Sequence, residues 1–385
     1  MPDTSAIAPK PAPPITANES AYPPLHIVTP LVHAATLSAT SGHDIYLKLE
    51  TQQRSGSFKA RGIGRACWSA VQRLGPNAHL VAASGGNAGI AAAISAQTLG
   101  VKCTVFVHNR TERTVVDKMR EHEANVVVSE GGWEHASIAA HALAEEDPNA
   151  QYIHPFEGDA VIRGHTTIVD EIYDQYAGLT TSDVRPDVIC CSVGGGGLIR
   201  GIMLRSAELA AATSTAPAHI LGITTIGADS FGRSLEQEAG FVEIEDANSR
   251  AKSLVCKACS PLAVYDARAY GATGSVAGAS AQTTGTPGGY FTSARIDDAY
   301  AGAAAWQATD ELDHLIELSC GAALAPAYQS SILDDIAKRI GRERLSVVLV
   351  VCGGSRIDRE TVDSFREEYG LGYGRIVVNG RVLKE

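Results

Sequence analysis

The chain has 385 residues, 45% of them apolar and 19% charged, with a formal net charge of -11. That length and apolar share suit one large domain or two of ordinary size and exclude a disordered or fibrous protein. The acidic balance argues against a nucleic-acid partner, whose phosphates need clustered Lys and Arg, and no stretch is long and apolar enough to span a bilayer.

Residues 1–23 are rich in Pro, Ala and Ser and read as a disordered arm. They hold no Arg and no apolar core segment, so they fit neither a presequence nor a secretory signal. From there apolar, β-rich runs alternate with helical patterns. Strands are expected at 45–49, 80–83, 103–107, 126–129, 152–155, 188–193, 220–225, 315–318 and 347–352. Helices are expected at 58–74, 87–99, 113–121, 134–144, 164–173, 198–211, 297–309, 321–339 and 359–368. The alternation predicts an α/β fold of two doubly wound domains with mainly parallel sheets. Several strands are continuous apolar runs, as expected when helices cover both faces. Residues 270–292, dominated by Gly, Ala, Ser and Thr, break the pattern and read as a long loop. At the end, Asn379-Gly380 between the apolar runs Ile376-Val377-Val378 and Val382-Leu383 predicts a hairpin over 375–384, which serves either an oligomer contact or the edge of a sheet. The eight cysteines lie scattered in apolar runs, as at Cys103 and Cys190-Cys191, and suit free thiols in a reducing, cytoplasmic compartment. Cys256 and Cys259 form a C-x-x-C without a second ligand pair, so a zinc or redox site and two incidental cysteines both stay open.

One stretch carries unusual chemistry: Ser55-Gly56-Ser57-Phe58-Lys59, just after the first core strand. A buried lysine loses ammonium stabilisation, so its amine turns nucleophilic and can condense with a carbonyl such as the aldehyde of pyridoxal phosphate. The small residues let backbone approach a flat ligand, and Phe58 offers a ring face. A plain helix start with Ser57 as its N-cap is the alternative. Three glycine-rich turns follow apolar strands: Ser84-Gly85-Gly86-Asn87-Ala88-Gly89, the run Gly194, Gly195, Gly196 and Gly197, and Cys352-Gly353-Gly354-Ser355. In a doubly wound sheet such turns gather at the carboxyl edge, where ligands bind. Four consecutive glycines at a helix N-terminus present bare N–H groups to a phosphate. The spacing is neither G-x-G-x-x-G nor a Walker loop, which favours a phosphomonoester over a nucleotide. Ser84 and Asn87 flank two glycines at a second helix N-terminus, a turn suited to holding a carboxylate or to capping.

These motifs, with Ala60-Arg61-Gly62 after the lysine, resemble the serine/threonine dehydratase family, fold-type-II pyridoxal-phosphate enzymes related to the tryptophan synthase β subunit. Supporting stretches are Pro24-Leu25-His26-Ile27-Val28-Thr29-Pro30-Leu31, Gly164-His165-Thr166, Gly227-Ala228-Asp229-Ser230-Phe231 and Cys320-Gly321-Ala322-Ala323-Leu324. The likeness spans about residues 24–370, and Asn87-Ala88-Gly89 with Cys352 looks most like the serine-dehydratase branch. The resemblance implies Lys59 as the Schiff-base lysine and catalytic base, with Phe58 packed on the cofactor ring. It implies Gly194–Gly197 at the phosphate, Asn87 on the ring hydroxyl, Cys352 facing the pyridine nitrogen, and Ser84, Gly85 and Asn87 on the substrate carboxylate. It further implies a small domain at 55–152, a large cofactor-binding domain from 24–54 and 153–370, a hairpin tail at 371–385, and a cytoplasmic homodimer. The implied reaction is α,β-elimination from L-serine, L-threonine or a related β-substituted amino acid, giving a 2-oxo acid and ammonia.

The sequence departs from the family at several points. Thr224 stands where an acidic cation ligand is usual, so no metal site is expected. Leu318 replaces a proline, Ile162-Arg163 replaces a Trp-Glu pair, and the 270–292 segment is longer. Gly85 stands where serine racemases carry a serine, which disfavours racemisation. A β-replacement synthase of the cysteine-synthase type, a specialised paralogue for an unusual amino acid and a catalytically dead amino-acid sensor remain the alternatives.

Overall fold

The computed structural model describes residues 25–180, 185–270 and 290–385. The expected arm at 1–23 and all but the ends of the 270–292 segment lie outside these residues. The first part of the chain forms β1 (Leu31–His33), α1 (Ala35–Ser41), β2 (Asp44–Leu49) and α2 (Lys59–Leu74). It then builds β3 (His79–Ala83), α3 (Asn87–Leu99), β4 (Lys102–His108), α4 (Arg113–Glu121), β5 (Asn125–Ser129), α5 (Trp133–Glu146) and β6 (Ala150–Tyr152). The four strands from β3 to β6 form one parallel sheet in the order β5-β4-β3-β6. Parallel neighbours need crossover helices, and α3, α4 and α5 supply them.

The second half continues with α6 (Asp159–Leu179), β7 (Val188–Ser192), α7 (Gly197–Thr213), β8 (His219–Thr225), α8 (Ser230–Leu235), α9 (Pro261–Ala269) and β9 (Phe291–Ile296). Then come α10 (Asp298–Leu312), α11 (Leu318–Tyr328), α12 (Ser331–Ile340), β10 (Ser346–Val351), α13 (Arg359–Tyr369), β11 (Ile376–Val378) and β12 (Arg381–Lys384). Eight strands pair in the order β1-β2-β10-β7-β8-β9-β11-β12. The central five are parallel, and β1, β11 and β12 are antiparallel additions at the edges. β7 and β8 are buried at every position, as expected of parallel strands covered on both faces.

The tail is a hairpin with Asn379 and Gly380 at positive φ, as the type I′ turn requires. Its strand β11 lies along β9, so it extends the large sheet. Three sequence expectations fail. The strand expected at 152–155 lies earlier, at Ala150–Tyr152, and 153–155 are not strand. Residues 315–318 do not form a strand: Glu317 is the N-cap of α11, whose alanine-rich residues are buried on nearly all sides. A short apolar run cannot be told from a buried helix by periodicity alone. The single helix expected at 321–339 is two, because Gln329 turns extended between α11 and α12. β1, α1, α8, α9 and β9 had no signal strong enough to be expected; β9 begins inside the segment read as loop.

Candidate active site

The site is assembled where the carboxyl ends of β2, β3, β7 and β10 meet. The turn before α2 is held against the turn after β10. Phe58 N–H donates to the Cys352 carbonyl (3.0 Å), Gly354 N–H to the Gly56 carbonyl (2.9 Å), and the Ser355 hydroxyl to the Ser55 carbonyl (3.1 Å). Ser57 does not cap the helix. Its backbone bridges Gly353, and its buried hydroxyl has no partner among the described residues; Phe58 is the N-cap. Across the cleft, Asn87 Oδ1 accepts from Ser355 N–H (3.0 Å) and its Nδ2 approaches Ser253 Oγ (3.4 Å). Asn87 therefore ties the start of α3 to the end of β10.

Lys59 opens α2, and its Nζ donates to the Pro155 carbonyl at 2.6 Å. Burial pulls its amine down to about 8, against weaker opposing effects of the Cys256 and Cys352 thiols. No carboxylate pairs with it among the described residues. The Phe58 ring lies 5.2 Å from Nζ and 5.3 Å from the His165 ring. His165 is fully buried, with both ring nitrogens lacking partners among the described residues, and burial holds it neutral. Cys352 is buried with its thiol 3.6 Å from Ser192 Oγ, and burial pushes it up to about 11.

The glycine run ends at the N-terminus of α7, where Gly196 takes φ 94° and no side chain caps the helix. The run is bare partly because its neighbours press on it: a Cβ on Gly195 would fall 2.3 Å from the Phe156 ring, and one on Gly196 would fall 2.6 Å from Ala263 Cβ. Ser260, at the start of α9, donates its N–H to the Gly195 carbonyl (2.9 Å). Its own hydroxyl is buried with no partner among the described residues. Uncapped helix N–H groups beside an orphaned hydroxyl suit a phosphate.

The structure thus brings together Lys59, Phe58, Asn87, Cys352 and the glycine run. Sequence reasoning missed Pro155, Phe156, Ser192 and Ser260 and gave His165, within a stretch that supports the family resemblance, no role; Ser260 carried a local signal, as a serine before Pro261 at a helix start. The C-x-x-C cysteines are free thiols: Cys259 is buried and Cys256 lies near Lys59. Among the described residues, no group of three potential ligands could hold a metal.

An amine of lowered pKa, an aromatic face, a neutral thiol and an anion cradle fit a flat, phosphorylated aldehyde. The fold and site therefore define a two-sheet enzyme of the kind that carries such a cofactor. The sequence profile described as pyridoxal-phosphate dependent enzyme matches residues 23–353, and the chain belongs to that family. Its cofactor is pyridoxal 5'-phosphate and its fold is type II. It is 32% identical to human L-serine dehydratase/L-threonine deaminase over 351 residues, 90% of this chain and 97% of the relative. It is 29% identical to the L-serine dehydratase of Dictyostelium discoideum over 349 residues, 88% of this chain and 91% of the relative. Among solved structures, a fungal L-serine ammonia-lyase from Rhizomucor miehei superposes with a TM-score of 0.75 at 29% identity, covering 90% of this chain and 99% of the other. No helix among the described residues is long and apolar enough to cross a membrane.

Proposed function

We propose that this chain is an ammonia-lyase that eliminates the β-substituent of L-serine, L-threonine or a close analogue, giving a 2-oxo acid and ammonia. The observation that carries the reading is Lys59: an amine buried without a carboxylate and lowered to about 8, beside a protonated thiol and an anion cradle. Gly194, Gly195, Gly196 and Gly197 would hold the cofactor phosphate through the N-terminus of α7, with the Ser260 hydroxyl beside them. Phe58 would pack on the ring and Asn87 would bond its hydroxyl oxygen. When bound, the cofactor supplies an electron-withdrawing ring that acidifies Cα of the attached amino acid.

Everything else falls to the protein. With a pKa near 8, about a tenth of Lys59 is neutral at pH 7, so it can both capture the aldehyde and take the Cα proton. Cys352, protonated at neutral pH, would offer the ring nitrogen a neutral partner, where a carboxylate would favour its charged form. Ser84, Gly85 and Asn87, at the N-terminus of α3, would grip the substrate carboxylate. Residues 55–152 form the small domain in this reading, and the rest of 24–370 the large one, with 371–385 as the tail. The free thiols support a cytoplasmic setting, and the family likeness supports a homodimer, which sedimentation tests.

The decisive assay is ammonia and 2-oxo acid release from L-serine and L-threonine by the cofactor-loaded enzyme, with and without an added thiol. Stoichiometric release of both products carries the reading. A thiol-substituted amino acid in place of ammonia would overturn it.

A further inference from the structure

We propose that Thr111 is a substrate-positioning residue, its hydroxyl donating a hydrogen bond to the α-carboxylate of the amino acid held at the turn Ser84–Asn87. The inference rests on the reading above and adds a residue to it from a different element. A Cβ on Gly85 would lie 2.3 Å from Thr111 Oγ1, 3.1 Å from its Cγ2 and 3.3 Å from its Cβ. The space that a side chain at position 85 would fill is therefore occupied by Thr111, which reaches in from the turn between β4 and α4.

The Thr111 hydroxyl is buried and has no hydrogen-bond partner among the described residues. A buried hydroxyl is rarely left so without a ligand or water to bond. The group beside it is the start of α3. No side chain caps that helix, whose N-cap is Gly86, so its first N–H groups are open to a carboxylate with Thr111 on one flank.

The position of Thr111 is enforced from across the cleft. Its neighbour Glu112 accepts from Arg356 Nε at 2.9 Å through one oxygen and from Lys252 Nζ at 2.8 Å through the other. Arg356 itself passes beside the same turn, its Nη1 3.6 Å from where a Cβ on Gly86 would be. The ion pairs fix the turn carrying Thr111. The substrate amino acid would then be gripped by the N–H groups of α3 and by a hydroxyl that Gly85, lacking a side chain, makes room for.

The test uses the cofactor-loaded enzyme and L-alanine, which has the same carboxylate but no leaving group, with binding read from the cofactor's absorbance. Thr111→Val keeps the shape and loses the donor, so its alanine dissociation constant should rise by about 10- to 100-fold, the range for a hydrogen bond to a charged group. Thr111→Ser should restore binding to within about threefold, and Thr111→Ala should match Val. Ethylamine, which has no carboxylate, should bind the unmodified enzyme and Thr111→Val alike. Unchanged alanine binding in Val and Ala, or an equal loss for alanine and ethylamine, overturns the assignment. If the unmodified enzyme shows no absorbance response to any amino acid and releases no ammonia, the ammonia-lyase reading falls first and this one with it.

Discussion

The first turn of α2 separates two sets of buried polar groups that are opposite in kind. Arg61 and Lys59 are two positions apart and so face different ways on the helix. Behind the site, Arg61 is fully buried and bonds both oxygens of Glu50 (2.7 Å each) and both of Glu171 (2.6 and 2.7 Å). Lys48 closes the set, with Nζ 2.6 Å from Glu171 and 2.7 Å from the Thr29 carbonyl. Two cations and two carboxylates balance, and their donors find acceptors. On the cleft side, Lys59 has one carbonyl, and the hydroxyls of Ser57, Thr111 and Ser260 have no partner among the described residues. A saturated network resists rearrangement, whereas unsaturated buried groups are free to take a ligand. The difference shows how the chain holds a reactive lysine still: the adjacent arginine bears the structural load on the opposite face.

The comparison can be broken most severely at Lys59. Lys59→Ala should still bind cofactor through the cradle, but without the absorbance of a covalent link, and should lose about 10³-fold or more in turnover. Normal ammonia release would remove Lys59 from the mechanism. On the opposite face, Glu50→Leu leaves Arg61 with only one carboxylate and should cost about 3–5 kcal/mol of stability, read by urea unfolding of the apoprotein. A loss under about 1 kcal/mol would place the network among the inert ion pairs.

Titration sharpens the contrast. Only the neutral form of Lys59 captures the aldehyde, and its pKa is lowered, so the rate of cofactor uptake by the apoprotein should climb as pH rises through about 8 and then level off. A rise that continued to pH 10 would mean that the amine is not desolvated. Ser260→Ala should weaken cofactor binding by about tenfold, the worth of one hydrogen bond to a charged group, while leaving the unfolding midpoint of the apoprotein nearly unchanged. The smallest effect is expected from cations. Thr224 Oγ1 donates to the Ala294 carbonyl at 3.5 Å, and Asp229 is engaged by Arg295 at 2.9 Å, which also bonds Glu236. With no free carboxylate there among the described residues for a hard cation, exhaustive dialysis against a bulky organic cation should change turnover by less than about twofold. A large rescue by potassium or magnesium would show another set of ligands at work.

What the sequence determined by itself is local: the alternation of strand and helix, the three glycine turns at strand ends, the asparagine-glycine hairpin and the lysine after the first core strand. Each follows from a few neighbouring residues whose backbone preferences or side-chain period leave little choice. The sequence could not show what fills the space around those motifs. Whether 315–318 became strand or helix depended on the surroundings that buried it on every side. The partners of Arg61 lie 11 and 110 positions away, and nothing in their own neighbourhoods pairs them. Gly85 alone says only that a side chain is missing; folding β4 and α4 against β3 and α3 places the Thr111 hydroxyl in that space. Tertiary packing decided these points, because the occupancy of a buried volume is set by residues that are distant in the chain and close only once the sheets have formed.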